Sequence, residues 1–193
     1  MDLALIFIAL PLGLISTAVM DVNARALSVV GITGRGERRT GPDLLGRWIG
    51  YMPRGVFRHE DIRRTPPLPY ELRLGFVVHY TIGWSLALAY LWGIDLSGRD
   101  PTPVNAVVYG IATTGFAWFL MFPAWGMGWF GARPPEPVVE TPVPSVPGGP
   151  AGLAGRRRDS WRSRTRLARS SLWNHAIFGL GLALAVAIFD PLG

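Results

Sequence analysis

The 193-residue chain has no cysteine and no lysine. Without thiols it can form no disulfide, no iron–sulfur cluster and no thiolate metal site. Without lysine, its basic charge rests on 19 arginines, set against 13 acidic residues for a formal charge of +6. A basic stretch ahead of the first apolar run is also missing, and Asp2 stands there instead. That run is too long for the core of a cleaved leader, so it reads as a retained span. No HExxH pairing, no nucleophile elbow around Ser16, Ser85, Ser170 or Ser171, and no phosphate-cradling glycine loop after a strand is present. Those gaps argue against zincin, serine-hydrolase and nucleotide-binding chemistry, and no catalytic residue is assigned. Nor does any recognition module accompany the positive charge, which argues against nucleic acid as a partner. Anionic lipid headgroups account for the arginines more simply, at about 1 kcal/mol for each one near the surface.

What the chain does have is four apolar stretches, at 3–20, 74–93, 104–125 and 172–189. Each approaches the ~20 residues that a helix needs to cross a ~30 Å hydrocarbon core. Ten arginines fall in the loop 21–73 and eight in the loop 132–171, whereas the short loop 94–103 holds only Arg99. The positive-inside rule puts the two rich loops in the cytoplasm and both termini on the periplasmic side. The fold class expected is an all-α membrane protein: four transmembrane helices in a bundle, with a cytoplasmic amphipathic segment. At this length the chain is a single membrane domain with no room for a separate soluble one.

The loops have characters of their own. Residues 43–62 mix Leu44, Leu45, Trp48, Ile49, Val56 and Phe57 with arginines, a pattern expected to lie in the interface plane with aromatics down and charges up. Pro66, Pro67 and Pro69 impose an extended approach to the second span. Residues 134–155 read as a flexible, proline-rich cytoplasmic linker, and 156–169 as a basic surface helix. Trp92 is expected at the outer boundary and Trp125, Trp129 and Trp173 at the inner one, as an aromatic belt. Trp84 and Trp118 lie deeper. No repeat relates the two halves, which argues against an inverted-repeat transporter.

Three spans carry small residues at i, i+4 spacing together with one ionisable group: Ala9, Gly13, Thr17 and Asp21; Gly75, His79, Gly83 and Ala87; His175, Gly179, Ala183 and Ala187. Residues four apart share a helix face, and small ones let membrane helices approach closely. Gly13, Thr17, Gly75, Gly83, Gly179 and Ala183 are the expected packing positions. The same faces would carry Asp21, His79 and His175 into the bundle, with Asn174 and His59 as lid or supporting groups. His79 follows Arg73, and His175 follows Arg169, by six residues, which places each ~9 Å inside its arginine anchor. Ionisable groups in a span suggest a functional site, because burying them is costly. The structural reading stands beside it: interhelical bonds worth under ~2 kcal/mol each. Candidate metal ligands are His79, His175 and Met127. Two histidines with a carboxylate suit zinc or iron, and His with Met suits haem or copper, so the cofactor is left open.

Several segments together resemble the bacterial integral-membrane family known as domain of unknown function 2938: TAVMD at 17–21, GRWIGYMPRGVFRH at 46–59, the Pro66–Pro67 pair, GFVVHYTIG at 75–83, MFPAWGMGWFG at 121–131 and NHAIFGLG at 174–181. The resemblance implies a small polytopic inner-membrane protein and supplies no reaction. The proline-rich and arginine-rich segment 134–169 departs from it in length. The functional expectation is a non-catalytic membrane protein with a polar cytoplasmic-side pocket for a small ligand, lipid, metal or partner. The alternatives are an accessory subunit of a respiratory or photosynthetic complex, a small transporter, or a membrane enzyme acting on a lipid or quinone.

Overall fold

A chain surrounded by apolar side chains must pair its own N–H and C=O groups, and a helix does this within one segment. The computed structural model describes residues 3–30, 41–132 and 151–189, with side chains described at 5–30, 41–132 and 167–189. Among these residues every regular element is helical. The helices are α1 (Leu3–Val29), α2 (Pro42–Tyr51), α3 (Glu71–Ser97), α4 (Pro103–Phe116), the short α5 (Phe122–Ala124) and α6 (Ala151–Phe189). A π-helical stretch, Ala117–Met121, joins α4 to α5.

Four segments are long and apolar enough to cross a membrane: Leu5–Val29, Glu71–Ser97, Pro103–Ala124 and Leu167–Phe189. They coincide with the four expected stretches, with one consequential extension. α1 continues more than two turns past residue 20, so Asp21 lies within the helix and not at its end. Local chemistry sets the turn between α3 and α4. Gly98 closes α3 in the left-handed conformation at φ 61°, where only glycine sits without strain. The Thr102 hydroxyl accepts from the Asn105 amide while Asn105 reaches back to the Thr102 N–H, a reciprocal cap that opens α4 at Pro103.

α1 packs against both α3 and α6, α6 packs against α4, and α2 lies on α3. Glycine seams make these crossings close. A side chain at Gly83 would strike the Thr17 hydroxyl, and one at Gly13 the backbone of Trp84. On α6, a Cβ at Gly181 would come 2.8 Å from Ser16 Cα, while one at Gly179 would come 2.8 Å from Val107 Cα. The three small-residue faces therefore do not all converge. Those of α1 and α3 meet at Gly13, Thr17 and Gly83, but Gly75 faces Pro42 and Gly46 of α2, and Gly179 faces α4. Ala183 is half-buried against the core, and Ala187 is exposed. Contact between α1 and α6 falls on Gly181, two residues off the expected face, because α6 packs against both α1 and α4.

Among the described residues two apolar clusters form the core. Leu5, Ala9, Leu12, Leu91, Leu182 and Ala185 occupy the end nearer the α3–α4 turn. Leu44, Leu45, Trp48, Ile62, Phe122, Trp125 and Met127 form the other, at the arginine-rich end. Here the structure corrects two expectations. The segment 43–62 does not lie flat with its charges outward: Leu44 through Trp48, Arg47 included, are buried against α3 and the 122–127 segment. Trp125 is 1% exposed and stacks edge-on against Trp48, so it belongs to the core and not to a belt. Trp92, Trp129 and Trp173 are exposed as a belt requires. The basic stretch 156–169 continues unbroken into the fourth candidate span within α6, which begins at Ala151. Residues 151–155 of the expected linker are thus helical, and 134–150 lie outside the described residues.

Candidate functional site

Asp21 and His79 sit one helical turn beyond the point where Thr17 meets Gly83, each four residues along its own helix. His79 Nε2 lies 3.0 Å from Asp21 Oδ1 and donates to it across 58 residues of sequence. The two side chains are 23% and 32% exposed, so the pair is neither sealed in the core nor free. Tyr80, the next residue of α3, stands edge-on to the His79 ring.

His175 is anchored elsewhere. Its Nδ1 lies 2.8 Å from the Thr113 hydroxyl of α4. That hydroxyl already donates its single proton to the Gly110 carbonyl at 2.6 Å. The Thr113 oxygen must then accept, which places the His175 proton on Nδ1 and leaves Nε2 as an acceptor. Asn174, beside His175, is half-buried and makes no side-chain hydrogen bond among the described residues. Buried hydroxyls line this part of the bundle: Ser16 returns its proton to Leu12 O, while Thr17 and Thr114 have no hydrogen-bond partner among the described residues.

His59 belongs to a separate construction. Its backbone N–H donates to Ala124 O at 2.8 Å, its ring bonds Thr65 Oγ1 at 3.0 Å, and it meets Tyr51 edge-on. It serves as part of the cap over the α2–α3 end, away from the bonds that hold Asp21 and His175. Burial, and then the positive charge of Arg47, hold its imidazole below the usual histidine range. Met127 is 1% exposed within the Trp48–Trp125 cluster. Among the described residues no three His, Cys, Asp or Glu side chains gather as a metal site.

The best-built polar group was absent from the sequence expectations. Arg47 donates from Nε and Nη2 to the two Glu71 carboxylate oxygens, at 2.8 and 2.7 Å, and from Nη1 to the Ile62 and Thr65 carbonyls at 3.1 and 3.0 Å. Glu71 also accepts from the Leu68 N–H. The hydrogen bonds to Glu71 hold the Arg47 guanidinium above its ordinary value. This bidentate pair, 10% and 13% exposed, ties α2, the 62–65 turn and the start of α3 together. The available signal was Glu71 itself, an acidic residue opening an apolar stretch in an arginine-rich neighbourhood. Thr113 was missed for a different reason, since only the packing makes it a neighbour of His175.

Comparison with curated proteins and with solved structures finds no match. A family model described as "Protein of unknown function (DUF2938)" matches residues 10–147, which include Asp21, Arg47, His59, His79 and Thr113 but not His175 or the 174–181 segment. The chain belongs to this family of proteins of unknown function.

Proposed function

We propose that this chain is a bacterial inner-membrane protein of four spans, arginine-rich loops in the cytoplasm, that binds a small ligand through the polar groups between its helices on the cytoplasmic side. Asp21, His79 and Tyr80 form the anchored part of the site, and His175 with Thr113 forms the facing part. A binding role is preferred to catalysis, because one histidine paired with one carboxylate in a helix bundle does not by itself define a reaction. The observation that carries the reading is the His79–Asp21 contact at 3.0 Å. It joins a carboxylate of α1 to an imidazole of α3, in a place where isolated charges are costly. His79→Ala and His175→Ala are expected each to abolish complementation of a deletion strain while membrane insertion and yield stay normal. Full complementation by both variants ends the reading.

A second reading, an accessory subunit, is favoured by the outer face of α3. Thr81 and Ser85 are exposed there, and Gly93 has no atom within 4 Å of where a Cβ would sit. Small residues on a free face suit a further membrane helix. Native electrophoresis after mild solubilisation separates the two, since an obligate subunit would not migrate alone.

A further inference from the structure

The turn between α3 and α4 opens into a groove of about 600 Å³. Arg99, Asp100 and the Thr102–Asn105 cap form its polar wall, and Val104 and Val108 form its apolar one. The two valines are exposed and lie four residues apart, on one face of α4. Arg99 is the single basic residue of the loop 94–103. Its guanidinium makes no ion pair or hydrogen bond among the described residues. Asp100 holds the Asn105 side chain through its main-chain carbonyl at 3.3 Å, and its carboxylate bonds to none of the described residues. A cation and an anion thus stand side by side, each without a partner. Depth fits a membrane boundary. Ser97 ends α3 five residues past the exposed Trp92, ~7 Å along the helix. A headgroup layer adds about 5–7 Å on each side of the hydrocarbon core. The polar wall falls at that level, and Val108 lies more than one turn deeper along α4.

The complement of this groove is an anion for Arg99, a cation for Asp100 and an apolar tail for the valines. The first turn of α4 lines it as well, and the partial positive charge of a helix start favours an anion there. We propose that the groove holds the headgroup of a phosphatidylethanolamine, with the phosphate on Arg99, the ammonium on Asp100 and an acyl chain along Val104 and Val108. An ammonium gives a carboxylate charge-assisted hydrogen bonds. The quaternary nitrogen of phosphatidylcholine has no N–H to give, and phosphatidylglycerol brings no cation to Asp100 at all.

The inference uses the four-span reading but not the site at Asp21 and His79, which lies toward the other end of the bundle. The test takes the full chain, delipidated in mild detergent, and offers it phosphatidylethanolamine, phosphatidylglycerol or phosphatidylcholine with the same acyl chains. Native mass spectrometry counts the lipid retained. Expected is a preference for phosphatidylethanolamine over each of the others of about 2–5-fold, the size of one exposed ion pair. Arg99→Gln should weaken phosphatidylethanolamine binding by a similar factor, about 2–5-fold. Asp100→Asn should erase the preference over phosphatidylglycerol, and His79→Ala should bind as the wild type does. Equal retention of the three lipids by the wild type overturns the inference, as does undiminished binding in Arg99→Gln. Displacement of the lipid by an equal concentration of glycerophosphoethanolamine, which has no acyl chain, would also overturn it and assign the groove to a soluble phosphoester.

Discussion

Arg47 shows how far a single residue's role can depart from its charge class. Its guanidinium serves two carboxylate oxygens and two carbonyls at once, and only arginine presents donors in that fork. Arg47→Ala leaves Glu71 buried without its partner, a change that costs about 3–5 kcal/mol. Arg47→Lys should recover little of it, because an ammonium cannot bond both oxygens and both carbonyls in this geometry. Thermal unfolding in detergent measures both, and a lysine variant as stable as the wild type would show that charge alone suffices. His59 supplies the pH dependence. Because its folded imidazole sits below the usual histidine range, the unfolded chain binds the proton first as pH falls. Its contribution is therefore complete above about pH 6.5 and is lost as pH drops below that value. Protection factors for hydrogen exchange at the His59 and Ile62 amides, which bond Ala124 and Trp125, corrected for the slower intrinsic exchange at low pH, should fall on acidification. The effect should vanish in His59→Gln, and unchanged protection factors from pH 7 to pH 5 in the wild type would exclude it.

Among the elements, glycine positions decide which helices touch. Gly46 and Gly75 let α2 lie against α3, and a methyl on Gly46 would drive into the Glu71 carbonyl. Backbone cannot yield as a flexible side chain can, so Gly46→Ala is expected to cost about 1–3 kcal/mol. Gly93→Ala is the control, with open space around it and a helix propensity gain of up to about 1 kcal/mol. The paired unfolding midpoints should move in opposite directions, and equal shifts would undo the account of the seams. The i, i+4 spacing of small residues identified the crossing between α1 and α3 because a helix face is written every three to four residues. It did not reveal that Gly179 turns to α4, because a face encodes its own small residues and not its neighbour. Nor could amphipathicity tell that α2 buries Arg47. The pattern separates polar from apolar positions, whereas the partner that rewards burial lies 24 residues away at Glu71.

For the whole molecule, the distribution of arginines makes a topological prediction. A chain with no cysteine allows clean single-site labelling. Phe57→Cys, in the arginine-rich loop, should react with an impermeant maleimide only after the membrane is opened, and Ser97→Cys, at the α3–α4 turn, should react in intact cells. The reverse pattern would invert the assigned orientation. The two apolar clusters divide labour along the same axis: one between the helices near the α3–α4 turn, the other fastening the α2 cap at the arginine-rich end. The polar groups of the candidate site lie where the helices leave the first cluster and approach the second.

Composition and spacing alone determined four apolar helices, their charge asymmetry, and the presence of Asp21 and His79 on small-residue faces, because hydropathy and the 3.6-residue period are properties of a single segment. Tertiary structure decided the rest: that His79 reaches Asp21, that His175 is held by Thr113, that Trp125 is core, and that Arg47 points inward. Each of those outcomes depends on which surfaces come together, and a contact between distant segments is set by the shape and bonding capacity of both partners at once.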